Sequence, residues 1–95
     1  MGALWIAHVD VHDAEAYGEY IKVASVVIPE HGGEFIARGG KVVHFEGIAR
    51  KRNVVARFPC VEAAEAAYND PRYQKAVVLA KAASERELMV IEASD

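Results

Sequence analysis

At Asp13 the spacing of apolar residues changes from two to three and four, and the changes that follow come in an order few folds can satisfy. Residues Ala3 to Val11 (ALWIAHVDV) are mostly β-branched, aromatic or small, contain neither glycine nor proline, and read as a strand. Beyond it Tyr17, Tyr20, Ile21, Ala24, Val27 and Ile28 form the stripe of a helix with one buried face, running from Asp13 to about His31. Asp13 is its expected N-cap and Glu15 adds favourable charge to the first turn, while Pro29 and then Gly32-Gly33 end it. Glu34 to Arg38 and Lys41 to Glu46 are two extended runs; Gly39-Gly40 serves either a bulge within one long strand, the favoured reading, or a tight turn between two. Arg50-Lys51-Arg52 reads as a turn, solvated in the first reading and a specific anion site in the alternative, before a strand over Asn53 to Phe58. Alanine-rich Val61 to Asn69 is helical by propensity. Asp70-Pro71 restarts the helix, because proline at a first helical position gives up no hydrogen bond, and Tyr73, Ala76, Val77 and Ala80 carry its stripe to about Ala83. Glu87 to Glu92 is the closing strand.

The order β-α-β-β-α-β is the split-βαβ, or ferredoxin-like, arrangement of the α+β class. It is a four-stranded antiparallel sheet with both helices on one face, since crossovers are right-handed. Ninety-five residues make one domain, 1–95, and 53% hydrophobic residues with a net charge of -3 place the chain outside the disordered class. Eleven basic against 14 acidic residues give no clustered positive face, which argues against nucleic acid as a partner. The single cysteine excludes an internal disulfide and every multi-cysteine metal motif, and fits a reducing compartment. No apolar run approaches the roughly 20 residues of a membrane span, and no signal-peptide pattern opens the chain, so no membrane association and a cytoplasmic location are expected.

Read at period two, each strand yields two lists. Trp5, Ala7, Val9 and Val11 fall on one face of the first strand, and Leu4, Ile6, His8 and Asp10 on the other. Val43 and Phe45 oppose Val42, His44 and Glu46 in the second, Val55 opposes Val54, Ala56 and Phe58 in the third, and Met89 and Ile91 oppose Leu88 and Val90 in the last. Both faces are apolar, yet two helices cover one. About 400 Å² of sheet is left open, near the limit for a soluble monomer, and a second copy is the simplest cover. The expected assembly is a homodimer packed sheet on sheet.

Several local patterns then accumulate: Asp13-Ala14-Glu15-Ala16-Tyr17 at the first helix, Gly32-Gly33 after it, Arg38-Gly39-Gly40, Glu46-Gly47, Phe58-Pro59 with Glu62-Ala63-Ala64, Tyr68, and Pro71-Arg72-Tyr73-Gln74. In this order the chain resembles the domain of unknown function 1330 family of the dimeric α/β-barrel superfamily. The resemblance spans nearly the whole chain, although Cys60 stands where a capping serine, threonine or aspartate is usual. It implies a ferredoxin-like protomer whose sheet packs on a partner to close a barrel. The family has no settled activity. Relatives in the superfamily include cofactor-independent monooxygenases, lactone isomerases and haem enzymes that use a pocket between sheet and helices.

Candidates for such a pocket are Tyr17 and Tyr20 on the inward stripe, Tyr73 on the last helix, and Arg38 and His44 flanking the glycine pair. Tyrosine hydroxyls and a planar guanidinium suit a small carboxylic acid or phenol. His44 is the candidate acid–base residue, with Glu46 fixing its tautomer. The expected function is a small-molecule-binding homodimer, acting without a cofactor by proton transfer or oxygenation on a small aromatic or carboxylic compound. The alternative is a non-catalytic binding or interaction module, in which the tyrosines are core aromatics. His8-x-Asp10-x-His12 places three ligand-type side chains on one strand face, but without a fourth ligand it is not assigned to a metal. No histidine is placed as an axial haem ligand. His31 is read as a helix-dipole partner, and Cys60 lacks a neighbouring base that would make it a nucleophile.

Overall fold

The computed structural model describes all 95 residues, Met1–Asp95. Its elements run β1 (Ala3–Val11), α1 (Ala14–Glu30), β2 (Glu34–Arg38), β3 (Arg52–Phe58), α2 (Val61–Asn69), α3 (Pro71–Ala83) and β4 (Ser84–Glu92). The strands form one antiparallel sheet in the order β2-β3-β1-β4, with the helices over one face, so the expected ferredoxin-like α+β fold is the observed one.

The caps explain where the helices begin. The Asp13 carboxylate accepts from the Ala16 amide at 3.1 Å, and His12 and Asp13 donate their own amides to the Ala83 carbonyl, fastening the start of α1 to the end of α3. The Asp70 carboxylate accepts from the Arg72 amide at 2.9 Å, so the break between α2 and α3 falls where Asp70-Pro71 places it. Cys60 makes no side-chain cap bond. Gly32 leaves α1 at φ +88°, and Gly33 is pressed between Ile28 and Phe58, where a Cβ would meet side-chain carbons at 2.5 and 2.7 Å.

The core lies between the helices and the inner sheet face. Trp5, Ala7 and Val9 of β1 and Val54, Ala56 and Phe58 of β3 pack against Tyr17, Tyr20, Ala24, Val27 and Ile28 of α1 and Tyr73, Ala76, Val77 and Ala80 of α3. Trp5 centres an aromatic group, with its ring 5.8 Å from Phe58, 6.1 Å from Tyr68 and 5.5 Å from Tyr73. No helix is long and apolar enough to cross a membrane.

One expectation fails in β2. Pairing with β3 stops at Arg38 opposite Val54, the bulge falls between Phe35 and Ala37 rather than at Gly39-Gly40, and Lys41 to Glu46 is not a strand. Gly39, at φ +73°, gives its amide to the Asn53 carbonyl at 3.0 Å, and the chain then leaves the sheet edge. Residues 39–51 form a loop in which Val43, Phe45 and Ile48 are exposed, Phe45 to 90%.

The outer sheet face has no cover within the protomer. The register lines Ala37, Val55, Ile6 and Met89 in one row across the four strands, with Arg57, Leu4 and Ile91 in the row beside it. Met89 and Ile91 are half-exposed. Toward the other end the face turns polar: the His8 ring donates to Asn53 Oδ1 at 2.5 Å, and Arg50 reaches over to Asp10, Glu85 and Glu87.

Candidate functional site

The register of the inner face determines what lines the pocket between sheet and α1. Arg38 of β2 sits opposite Val54, and Arg52 of β3 and Arg86 of β4 both sit opposite Val9 of β1, one on each side. All three side chains therefore stand on the helix-covered face. With strands about 4.8 Å apart, Arg52 and Arg86 flank Val9 at a separation of about 10 Å. The pocket they line with Trp5, Ala7, Tyr17, Tyr20, Ile21, Ala24, Ile28, Phe35 and Val54 contains no carboxylate and encloses about 20 Å³.

Each arginine is held differently. Arg38, at the exposed lip, donates to the Ser25 hydroxyl at 2.6 Å and stacks its guanidinium 4.0 Å from the Phe35 ring centre. Arg86 donates from one nitrogen, Nη2, to both Tyr20 and Tyr73 hydroxyls at 3.2 Å, and lies 4.7 Å from the Tyr20 ring centre. Its Nη1 is buried without a partner, as is Arg52 Nε.

The two tyrosine hydroxyls are 2.8 Å apart. One of them spends its proton on the other, and both accept from Arg86, so the receiving hydroxyl keeps an O–H with no acceptor named by the fold. Burial pushes the Tyr73 phenol up from its ordinary value, with the nearby Tyr20 adding to it. Burial raises Tyr17 likewise, and the cationic Arg86 opposes it. Burial works against the Arg86 charge, but the phenols of Tyr20, Tyr73 and Tyr17 outweigh it and the group stays firmly protonated. The site is thus a set of protonated donors in an apolar surround, with no base among its lining residues.

The structure brings together Tyr17, Tyr20 and Arg38 around the pocket, with Tyr73 behind Tyr20. His44 and Glu46 do not join them: expected on a strand beside Arg38, they lie on the exposed 39–51 loop because β2 ends at Arg38. Arg52 and Arg86 were hidden in the sequence. Arg52 lay inside a run read as a solvated turn, and Arg86 preceded the apolar stretch from which the last strand was read. Strand alternation through Val54, Ala56 and Phe58, and through Leu88 and Val90, points both inward once β3 and β4 are extended to their true starts. Arg50, from the same run, is not solvated either: its side chain is 13% exposed and holds Asp10, Glu85 and Glu87 at 2.8 to 3.1 Å.

His8, Asp10 and His12 do not gather into a ligand set. His8 is engaged by Asn53, while the Asp10 carboxylate is taken by Arg50 and by the Lys51 amide, which holds its pKa down. No three histidine, cysteine or acidic side chains are grouped to hold a metal ion. His31 does more than face a helix dipole: its Nε2–H donates to Asp70 at 2.9 Å, joining the end of α1 to the α2–α3 junction. Arg72 bridges Asp70 and Glu30 at the same place.

The sequence profile of the family described as domain of unknown function (DUF1330) matches residues 2–94. A search of curated proteins finds no significant match. Among solved structures, a protein of unknown function from Rhodopseudomonas palustris superposes with a TM-score of 0.81 at 21% identity, covering 99% of this chain and 83% of its own. A dimeric ferredoxin-like protein of unknown function from Jannaschia sp. CCS1 gives 0.73 at 14% identity, over 98% and 100% of the two chains. SnoaB, a cofactor-independent oxygenase from Streptomyces nogalater, gives 0.68 at 16% identity, over 99% and 94%.

Proposed function

The chain belongs to the DUF1330 family, and on that premise we propose that it is a homodimer whose sheet–helix pocket binds a small carboxylic or phenolic compound; the lining holds no base for proton transfer, so the chemistry this reading keeps is oxygenation without a cofactor. The observation that carries this reading is the buried Tyr20–Tyr73–Arg86 group facing an apolar pocket lined by two further arginines. Buried hydrogen-bond donors that the fold leaves unspent cost stability, so they are kept where a ligand uses them.

Dimerisation belongs to the same reading. The open face presents Ile6, Val55, Met89, Leu4 and Ile91, and the exposed Phe45 and Ile48 of the 39–51 loop add apolar surface. A stable interface buries about 800 Å² per partner, roughly twice what the sheet face alone offers, and the loop supplies the kind of surface needed for the remainder. The dimeric ferredoxin-like protein from Jannaschia supports the dimer by analogy of fold, and the cofactor-independent oxygenase SnoaB supports the cofactor-free chemistry in the same way.

In this reading Tyr17, Tyr20, Tyr73 and Arg38 hold the ligand, while His44 and Glu46 stand outside the binding set of their own protomer. The test is a thermal-shift titration with a panel of small phenols and carboxylic acids, followed by oxygen-consumption measurements on each compound that binds. A ligand that binds only the native state raises the midpoint. Binding that is lost in Tyr20→Phe with Arg38→Ala supports the reading. No shift with any member of the panel overturns it in favour of a non-catalytic interaction module.

A further inference from the structure

We infer that the ligand of this pocket is a carboxylate, inserted acid end first, with its two oxygens taken by Arg52 and Arg86. This rests on the pocket being a small-molecule site, and it narrows the class of compound from acid or phenol to an anion.

The chain has six arginines; Arg50, Arg57 and Arg72 each hold a carboxylate of the protein, and Arg38, Arg52 and Arg86 hold none. Those three are the ones that line the pocket, and no acidic side chain lines it with them. Charged groups taken from water are ordinarily paired, because an unpaired buried charge is costly. Fourteen acidic residues were available to pair them, and none is placed there.

What the site leaves unspent is Arg86 Nη1, Arg52 Nε and one phenolic proton of the Tyr20–Tyr73 pair. Every one of these is a donor. A phenol or alcohol brings its own proton and satisfies such a set only in part, whereas a carboxylate is acceptor-only, with about four lone-pair directions. Guanidinium forks match its plane, and charge-assisted bonds of this kind are about twice as strong as neutral ones.

A cavity of about 20 Å³ has room for one or two water-sized atoms, enough for carboxylate oxygens and not for a ring. The acid group therefore enters first, and the body of the ligand lies toward the lip, under Phe35 and the Arg38 guanidinium that stacks on it. Arg38, exposed and anchored by the Ser25 hydroxyl and the Phe35 ring, covers the body of the ligand at the lip.

The test uses the intact protein labelled with ¹⁵N and two matched pairs of probes, acetate with acetamide and benzoate with benzamide. The expected result is that the carboxylates raise the thermal midpoint and move the Arg52 and Arg86 side-chain N–H resonances, while the amides do neither. Arg52→Met and Arg86→Met should each weaken carboxylate binding at least tenfold. If a variant fails to fold, the resonance shifts in the native protein still decide. Binding of the amide as tightly as its carboxylate, or carboxylate shifts confined to residues outside the pocket, overturns the anion while leaving a small-molecule site. Silence from both pairs overturns the carboxylate, and the wider site falls only if the neutral phenols of the earlier panel are silent too.

Discussion

Replacing Arg86 with methionine separates a group kept for a ligand from one kept for the fold. The guanidinium makes two bonds of 3.2 Å to Tyr20 and Tyr73, each contributing about 1 kcal/mol, and lies over the Tyr20 ring for about 1 kcal/mol more. Against this stand its desolvation and the buried, unpartnered Nη1, a penalty of about 1–3 kcal/mol that methionine does not incur. Methionine also covers the apolar area of the arginine stem and adapts to the space left by the fork. The 2.8 Å bond between the two tyrosine hydroxyls survives, so neither is left without a partner. The opposing effects nearly cancel, and the variant should unfold within about 1 kcal/mol of the native protein. For a chain of this length that is a midpoint change of at most about 8 °C. Denaturant melts followed by far-ultraviolet circular dichroism, at one fixed protein concentration so that association does not shift the midpoint, give the difference directly. A loss beyond about 3 kcal/mol would refute the reasoning, because Arg86 would then be a structural clamp on the tyrosines with no donor to spare.

Other outcomes follow from particular contacts. Gly33→Ala should destabilise the fold by about 1–3 kcal/mol in the same melts, because its Cβ meets Ile28 and Phe58 carbons closer than real side chains approach, and an unchanged midpoint would show that α1 yields there. Asp13→Ala removes the bond to the Ala16 amide and should cost about 1 kcal/mol. Arg72 and then His31 hold the Asp70 carboxyl well below the ordinary carboxylate range, and Arg72 does the same to Glu30. Their folded values are depressed, so the stability they add is present above the ordinary value of about 4 and is lost as the pH falls through and below it. Midpoints measured at decreasing pH should therefore fall less steeply in Asp70→Asn than in the native protein, and equal slopes would contradict the linkage. Ile6→Asp combined with Met89→Asp charges the apolar row of the open face without touching the core, and should leave a folded monomer by size-exclusion chromatography with light scattering.

Much of the fold was legible because local chemistry and tertiary structure agree. The Asp13 cap, the Asp70-Pro71 restart and the inward stripe Tyr17-Tyr20-Ala24-Val27-Ile28 are each decided by neighbours in sequence. Where the sequence misled, the deciding partner was distant. Lys41 to Glu46 has the composition of a strand, but a strand needs an edge to pair with, and β3 begins only at Arg52. That one fact moved His44 and Glu46 out of the site. Arg52 and Arg86 illustrate the converse. A charged residue beside a strand reads as solvated, and only the register against Val9 turns both side chains into the pocket. Tyr17 and Tyr20 were legible at the pocket wall because burial stripe and residue type coincide, and Arg38 because it stands beside the glycine pair that ends β2, whereas the hydroxyl pair between Tyr20 and Tyr73, 53 residues apart, follows from helix packing that no local pattern contains.

A second copy is the proposed cover for a sheet that is apolar on two faces and roofed on one, and sedimentation equilibrium tests that proposal most directly. The native chain should sediment as a single species of twice the 10.4 kDa protomer mass, and Ile6→Asp with Met89→Asp as a species of once that mass. A native protein that remains at 10.4 kDa up to millimolar concentration would contradict the shared interface and leave the open face unexplained.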